Sequence, residues 1–442
     1  MRRTPSLAFV VAAVMGCSSS SSNSGSSSGT SGTPAPAACQ GDLPDRLSVS
    51  AGGRLSFTRQ EGVAYEGTGG AVVMVDDTTV AVRAPYAATG GEEVAVRLDC
   101  GRTIAIDLRP LKWTKLAKWE ETKGAPGREY GAWWLDPEGT GALIVFGGFH
   151  YEPKQFTPSN DAWRFDFATS TWAPLAGDAL PTLPGARVAP IPGERAVLFF
   201  GGTTPTGNGS VDTQPSLYRL TYDDTTLTPT KIDIGADAPG SYTGAFVYDS
   251  KRQRWLSLCG ASSTGLNCKI HSYTPAAGFV ELTATSPGPK GRYGFHYAYD
   301  EATDRVILFG GQDGTANDAI DGETWALDLA TDPPTWTLLV ANGSGPTKRR
   351  NGAFALDPVG HRLFVWGGTA DGATSLPNLQ ALSLDRGAEQ WSDIDVPNDV
   401  PKRTSAIGVH DAARDRLVFG FGNAGSVYRD LWSVDVGNVN PR

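Results

Sequence analysis

Six times along the chain a run of large apolar residues ends at, or close to, a pair of glycines. Leu143-Ile144-Val145-Phe146 runs into Gly147-Gly148, and Val197-Leu198-Phe199-Phe200 into Gly201-Gly202. Val306-Ile307-Leu308-Phe309 runs into Gly310-Gly311, and Leu363-Phe364-Val365-Trp366 into Gly367-Gly368. Two copies are degraded: Trp255-Leu256-Ser257-Leu258 meets Cys259-Gly260, and Leu417-Val418-Phe419 meets Gly420-Phe421-Gly422. Successive pairs lie 54, 58, 51, 57 and 53 residues apart. A period of that size describes an array of similar units that bury their faces against one another.

Composition narrows the chemistry. Only 19% of the 442 residues are charged and the net charge is -9, which argues against nucleic acid or an anionic lipid surface as partner. Residues 1–16 read as a secretory signal: Arg2 and Arg3, then a mostly apolar stretch from Leu7 to Met15 that is too short to span a bilayer. The ending Val14-Met15-Gly16-Cys17 resembles a bacterial lipobox, which implies lipidation of Cys17; Met15 departs from the usual small residue. Residues 17–38 are dominated by Ser and Gly, cannot bury a core, and form a tether whose typical reach is roughly 25 Å. Four cysteines remain, an even number suited to an oxidising compartment. Cys39–Cys100 and Cys259–Cys268 is the simplest of the three possible pairings.

Residues 39–109 alternate apolar and polar positions in short runs such as Val80-Ala81-Val82 and Val94-Ala95-Val96-Arg97-Leu98. The expectation is a small antiparallel β-sandwich. It resembles a bacterial Ig-like domain, with a spacer role. From residue 110 to 437 each unit reads as four strands. The first follows a Pro/Gly/Arg-rich entry, the second is the apolar run, the third follows a variable loop, and the fourth often begins with Trp.

The glycine pairs, the third-strand aromatics (Trp163, Tyr218, Tyr273, Trp325) and the fourth-strand positions Trp172, Phe279, Trp336 and Trp391 resemble Kelch repeats. In the second unit Leu227 to Ile232 fills the fourth-strand slot without an aromatic. The resemblance implies an all-β fold: a six-bladed Kelch-type β-propeller preceded by the small Ig-like sandwich. It also implies that the aromatics wedge between blades. The sixth unit ends at its third strand, Trp432-Ser433-Val434-Asp435, whereas Trp113-Thr114-Lys115-Leu116 before the first unit matches the fourth strands. The strand at Trp113 is therefore expected to complete the last blade and close the ring.

The resemblance places binding at the channel mouth, near the long loops after each second strand, among them Phe149 to Asn160 and Ala261 to Asn267. The candidate mouth residues are Arg128, Tyr130, Arg187, Tyr242, Arg292, Tyr293, Arg350 and Arg403. The arginines suit a carboxylate and the tyrosines a sugar ring; the alternative is that they bridge blades through backbone hydrogen bonds. Asp313, Asp318, Asp321, Glu323 and Asp371, with Asn317 and Asn378, are oxygen donors of the kind calcium takes, without the full EF-hand spacing. His150, His271, His296, His361 and His410 are scattered, and the hydrolase-elbow, phosphate-loop and zinc-protease patterns are absent from the sequence. The expected function is a lipid-anchored extracytoplasmic binding or scaffold module for a glycan or protein, monomeric, with no metal, cofactor or catalytic residue assigned. The alternative is a carbohydrate-active enzyme resembling the Kelch-type sialic-acid epimerases or galactose oxidase.

Overall fold

The computed structural model describes residues 39, 43–86, 90–117, 124–138, 141–152, 155–205, 211–213, 215–235, 238–314, 319–340, 343–394, 396 and 400–437. The signal segment, the whole tether with Cys17, Asn317 and Asp318 lie outside the described residues. No α-helix occurs among the described residues.

Each glycine-pair unit forms one antiparallel four-stranded sheet. The first sheet runs Ala132–Asp136, Ala142–Glu152, Gln155–Asp166 and Thr171–Leu175; the second Arg187–Pro190, Ala196–Phe200, Leu217–Tyr222 and Leu227–Ile232. The third runs Ala245–Asp249, Arg254–Ser262, Gly265–Thr274 and Gly278–Leu282; the fourth His296–Asp300, Arg305–Phe309, Thr324–Asp328 and Thr335–Val340. The fifth runs Ala353–Asp357, Arg362–Trp366, Leu379–Ser383 and Trp391–Ile394. The sixth takes Ile407–Asp411, Arg416–Gly420 and Leu431–Asp435 from the chain's end and Trp113–Ala117 from before the first sheet, with Val434 opposite Trp113 and Trp432 opposite Lys115.

The apolar runs are the second strands. Leu143 to Phe146 and Leu363 to Trp366 are buried on both faces, because each sheet is covered on either side by a neighbour. Fourth-strand aromatics fill the gaps. Trp172 of the first sheet lies 5.6 Å from Phe421 of the sixth, Phe279 of the third 4.9 Å from Phe200 of the second, and Trp391 of the fifth 4.5 Å from Phe309 of the fourth. Trp113 of the sixth lies 5.4 Å from Trp366 of the fifth. A ring buried this way contributes about 2–3 kcal/mol.

Both positions of the glycine pair are left-handed in every sheet, from Gly147 (φ 60°) and Gly148 (φ 91°) to Phe421 (φ 55°) and Gly422 (φ 85°). The sixth pair is thus Phe421-Gly422, one residue later than the sequence pattern places it, and Cys259 (φ 54°) holds the first position in the third sheet. The second position is glycine every time, for a steric reason. A Cβ on Gly148 would sit 2.5 Å from the Glu129 carbonyl oxygen, and one on Gly422 2.4 Å from that of Thr404. The amide of this second glycine donates to the next sheet: Gly202 to Ser241 O (2.7 Å), Gly260 to Arg292 O, Gly311 to Arg349 O and Gly368 to Arg403 O (2.9 Å each). Gly422 of the last sheet donates to Arg128 O of the first at 2.9 Å.

A second series of five bonds links the six sheets. Gly185 N donates to Tyr130 O, Thr243 N to Gly185 O, Gly294 N to Thr243 O, Asn351 N to Gly294 O and Ser405 N to Asn351 O, at 2.6–3.2 Å. These six residues, one per sheet, all have φ between 50° and 77°. First strands lie beside first strands in cyclic order, the sixth returning to the first.

Three expectations need correction. Tyr273 is not the third-strand counterpart of Trp163: Trp163 pairs with Val145, and the matching position opposite Ser257 is His271, while Tyr273 packs on Phe279 at 4.9 Å. The stretches Phe149 to Asn160 and Ala261 to Asn267 are not irregular loops throughout, because the flanking strands run on as long hairpins. The third of these corrections concerns the N-terminal unit. Its two sheets share a core of Val49, Leu55, Val80, Val82, Val96 and Ile104, but Arg46–Ser50 pairs in parallel with Thr103–Arg109, so the unit is not purely antiparallel. Nor is it a detached spacer. Arg362, 1% exposed, donates to Gly52 O at 2.5 Å; Arg83 pairs with Asp385 at 2.8 Å; Ala51 and Tyr86 join Val396, Val400, Val434 and Val436 in one core. Cys39 is bonded to Cys100 and Cys259 to Cys268.

Candidate functional site

Three of the candidate arginines are sealed inside the sheets. Arg128 donates to Gly147 O (3.0 Å) and pairs with Asp161 (2.9 Å); Arg292 donates to Gly310 O (3.1 Å) and pairs with Asp321 and Glu323 (3.2 Å each). Arg403 donates to Phe421 O (3.0 Å) and pairs with Asp430. Their side chains are 0–1% exposed. The acid in turn accepts from the indole two residues on: Trp163 to Asp161, Trp325 to Glu323 and Trp432 to Asp430, at 2.6–2.8 Å. Each Arg–acid–Trp set ties a sheet's entry segment to its glycine pair and third strand. These arginines bridge backbone and do not form a collar. In the fifth sheet this role falls to Arg349, not Arg350: it donates to Gly367 O at 2.9 Å. Burial lowers its pKa to about 10, and its Nη2 has no hydrogen-bond partner.

The residue after the buried arginine, or after Ser241 in the third sheet, faces the mouth. Glu129, Tyr242, Tyr293, Arg350 and Thr404 occupy this one position in five sheets, each bridged to the residue that follows the second glycine. The Tyr293 hydroxyl donates to Gln312 (3.0 Å) and accepts from Arg350 Nη1 (3.0 Å), whose guanidinium lies over the Tyr293 ring. Burial raises the Glu129 pKa to about 7, with Asn423 acting against the shift. Sequence reasoning named Tyr242, Tyr293 and Arg350 but missed Glu129 and Thr404, which lack a shared side-chain type. The signal that finds them is their place immediately after the buried arginine.

Tyr130 lies one step deeper. Its hydroxyl accepts from Asn351 Nδ2 of the fifth sheet at 2.8 Å, and its ring lies 6.1 Å from Tyr242 of the third. A first-sheet residue that touches the third and fifth sheets lies across the ring's axis, so Tyr130 closes the channel beneath this mouth.

Arg187 is misplaced by sequence reasoning. It pairs with Phe200, the register position of Ala132 opposite Phe146, four residues beyond Arg128's position. It therefore belongs to the channel wall, inward of Tyr130. There a cavity of 170 Å³ is lined by Ala132, Trp133, Ala186, Arg187, Val188, Phe246, Tyr297 and Phe354, contributed by five sheets. It continues into a wider vestibule of 680 Å³ whose rim includes the exposed turn residues Glu301, Pro358 and Ala412. The channel thus opens on the face opposite the loops.

The histidines are scattered in space as well. His150 contacts Asp161 and Gly127 O; His271 lies near Glu281. His296 accepts from Gly352 N at Nε2 (3.0 Å), so its Nδ1 donates to Phe309 O; burial and then Arg349 lower its pKa to about 3 and keep it neutral. His361 bridges Asp300 and Asp385, whose hydrogen bonds overcome the burial penalty and raise its pKa to about 9. Donor atoms of Asp357, His410 and Asp415 lie within 4.8 Å of one another, but Asp357 is already held by Arg362 (2.7 Å) and the Gly360 amide (2.8 Å). Among the loop acids, Asp321 pairs with Arg292, and Asp371 accepts from Thr369 and the amides of Ala373 and Thr374.

Two comparisons agree with this geometry. The family profile described as the KLHDC2/KLHL20/DRC7 Kelch-repeats domain matches residues 260–440. An Adagio-like protein 3 of Oryza sativa subsp. japonica is 25% identical over 162 residues, which cover 36% of this chain and 25% of that protein. The chain thus aligns with only a quarter of that relative's length. Together with the glycine pairs, the four-stranded sheets and the wedged aromatics, these matches show that the C-terminal part of the chain, residues 260–440, is similar to Kelch-repeat domains.

Proposed function

We propose that the six sheets form a closed six-bladed Kelch β-propeller, preceded by a small Ig-like domain, and that the molecule is a binding or scaffold module. Its partner is a protein or glycan engaged at the loop-side mouth. Kelch repeats suit such a role, because variable connections project from a repeating frame. The observation that carries the reading is the mouth itself. Glu129, Tyr242, Tyr293 and Arg350 form a half-buried polar, aromatic surface above the Tyr130 closure, with Gln312 buried against Tyr293. The signal segment and Cys17 support a lipid-anchored, extracytoplasmic location in a bacterium.

The test is capture by residues 39–442 from a glycan array and an extracytoplasmic extract, with Arg350→Ala as the mouth variant. Saturable capture that the variant reduces at least tenfold is expected. Capture that Arg350→Ala leaves unchanged, with folding intact, would retire the loop-side mouth as the binding surface. For the anchor, a Cys17→Ser chain expressed in a Gram-negative host should leave the membrane fraction, whereas retention there would refute lipidation.

A further inference from the structure

The loop-side reading leaves Arg187 without a role. Its Nε donates to Gly244 O at 3.2 Å. Among the described residues, its two terminal nitrogens make no hydrogen bond or ion pair, and no acidic side chain lines the cavity they face. A half-buried guanidinium without a counter-ion is costly to keep, and its planar fork matches a carboxylate.

The rest of the cavity wall is apolar and aromatic. Trp133 is pinned by its indole nitrogen to Gly408 O of the sixth sheet at 2.9 Å, while Phe246, Tyr297 and Phe354 come from the third, fourth and fifth. A volume of 170 Å³ is close to the ~150 Å³ of an apolar protein cavity that accepts benzene. Tyr130 bars entry from the loop side, and the vestibule admits a ligand from the opposite face.

We infer that the channel is a blind pocket for a small organic monocarboxylate with an aryl or similarly sized apolar body. The carboxylate would pair with the terminal nitrogens of Arg187, and the body would fill the space between Trp133, Phe246, Tyr297 and Phe354. The site is separate from the loop-side mouth, so a failure there leaves this inference standing.

Three probes test it on the full chain by calorimetry and tryptophan fluorescence: benzoate, benzyl alcohol and inorganic phosphate. Benzoate should bind saturably with one site, benzyl alcohol about 10- to 100-fold more weakly for want of the charged contact, and phosphate more weakly still. Arg187→Met should weaken benzoate by the same factor, and Arg187→Lys should restore part of it. Val188→Phe narrows the same cavity from a half-buried position and should abolish benzoate binding with Arg187 intact; it serves if Arg187→Met does not fold. Absence of saturable benzoate binding at tens of millimolar would overturn the inference. So would Arg187→Met or Val188→Phe binding like the parent, or phosphate binding as tightly as benzoate.

Discussion

The second glycine position has no room for a Cβ, whereas the first has room in some sheets only: Gly201, Gly310 and Gly367 would place it 2.1–2.5 Å from a carbonyl oxygen. At the second, the added atom meets backbone: Gly368 would place it 2.7 Å from Arg350 O and 2.9 Å from Gly352 N, neither of which can rotate away. At the first position of the first sheet, the nearest atom to a Cβ on Gly147 is Ser159 O at 3.2 Å, and nature already tolerates Cys259 and Phe421 at the equivalent place. Left-handed backbone alone costs a non-glycine residue about 1–2 kcal/mol, and overpacking adds about 1–3 kcal/mol. Gly147→Ala should therefore lose about 1–2 kcal/mol in urea unfolding and Gly368→Ala about 2–5 kcal/mol, with equal losses counting against the steric argument. Glu129 makes a second prediction at this scale. Its pKa stands near 7 in the folded chain against an ordinary 4.5. Between those values the unfolded chain releases its proton while the folded one keeps it, so stability falls as pH rises from 4.5 to 7 and is level outside that window. Glu129→Gln should match the parent's melting temperature at pH 4 and exceed it at pH 8, by on the order of 1–3 kcal/mol of stability. Parallel pH profiles would mean that burial does not govern this carboxyl.

In the first, fourth and sixth sheets an Arg–acid–Trp set ties the entry segment to the glycine pair and the third strand, so the six sheets are not equally served. The sixth has the most buried version: Arg403 and Asp430 are 0% and 4% exposed, and Trp432 completes the set. Asp430→Asn keeps the shape but leaves a buried guanidinium uncompensated, a change worth about 3–5 kcal/mol. The fifth sheet carries Asn378 and Gln380 where the first, fourth and sixth carry an acid and a Trp, and Arg349 Nη2 is left without a partner. Asn378→Asp should supply one and stabilise the chain by about 1–2 kcal/mol, read as a higher urea midpoint at unchanged slope. No gain would mean that solvent already satisfies Arg349. These sets also show why the sequence was legible only in part. The period, the second strands and Trp172, Phe279, Trp336 and Trp391 follow from side-chain type alone. The arginines do not, since Arg128, Arg187 and Arg350 all stand near a glycine at a strand entry, and only register separates a buried bridge from a channel wall and a mouth. Cys259 and Phe421 hide the pair for the same reason: backbone conformation persisted there after the residue that signals it had gone.

At the scale of the whole molecule, the chain's two ends are joined twice over. Trp113–Ala117 supplies the fourth strand of the sixth sheet, as the repeat arithmetic required, because a lone Trp-led strand before the first unit has no other sheet to join. What the sequence could not convey is that the N-terminal unit is packed against the fifth and sixth sheets. Contacts such as Arg362 to Gly52 and Arg83 to Asp385 link positions some 300 residues apart and leave no local pattern. The shared core of Ala51, Leu111, Trp366, Phe419, Val434 and Val436 means that neither body buries this apolar surface without the other. The N-terminal unit and the ring should therefore melt together, with one transition seen alike by far-ultraviolet dichroism and by tryptophan fluorescence. Removing residues 110–117 should lower that midpoint by well over 5 °C, since it strips a strand from the closing sheet and uncovers Trp366 and Phe419. Two separate transitions in the parent would show that the docked core does not couple the bodies, and an unchanged midpoint after the deletion would show that the ring does not depend on its N-terminal strand.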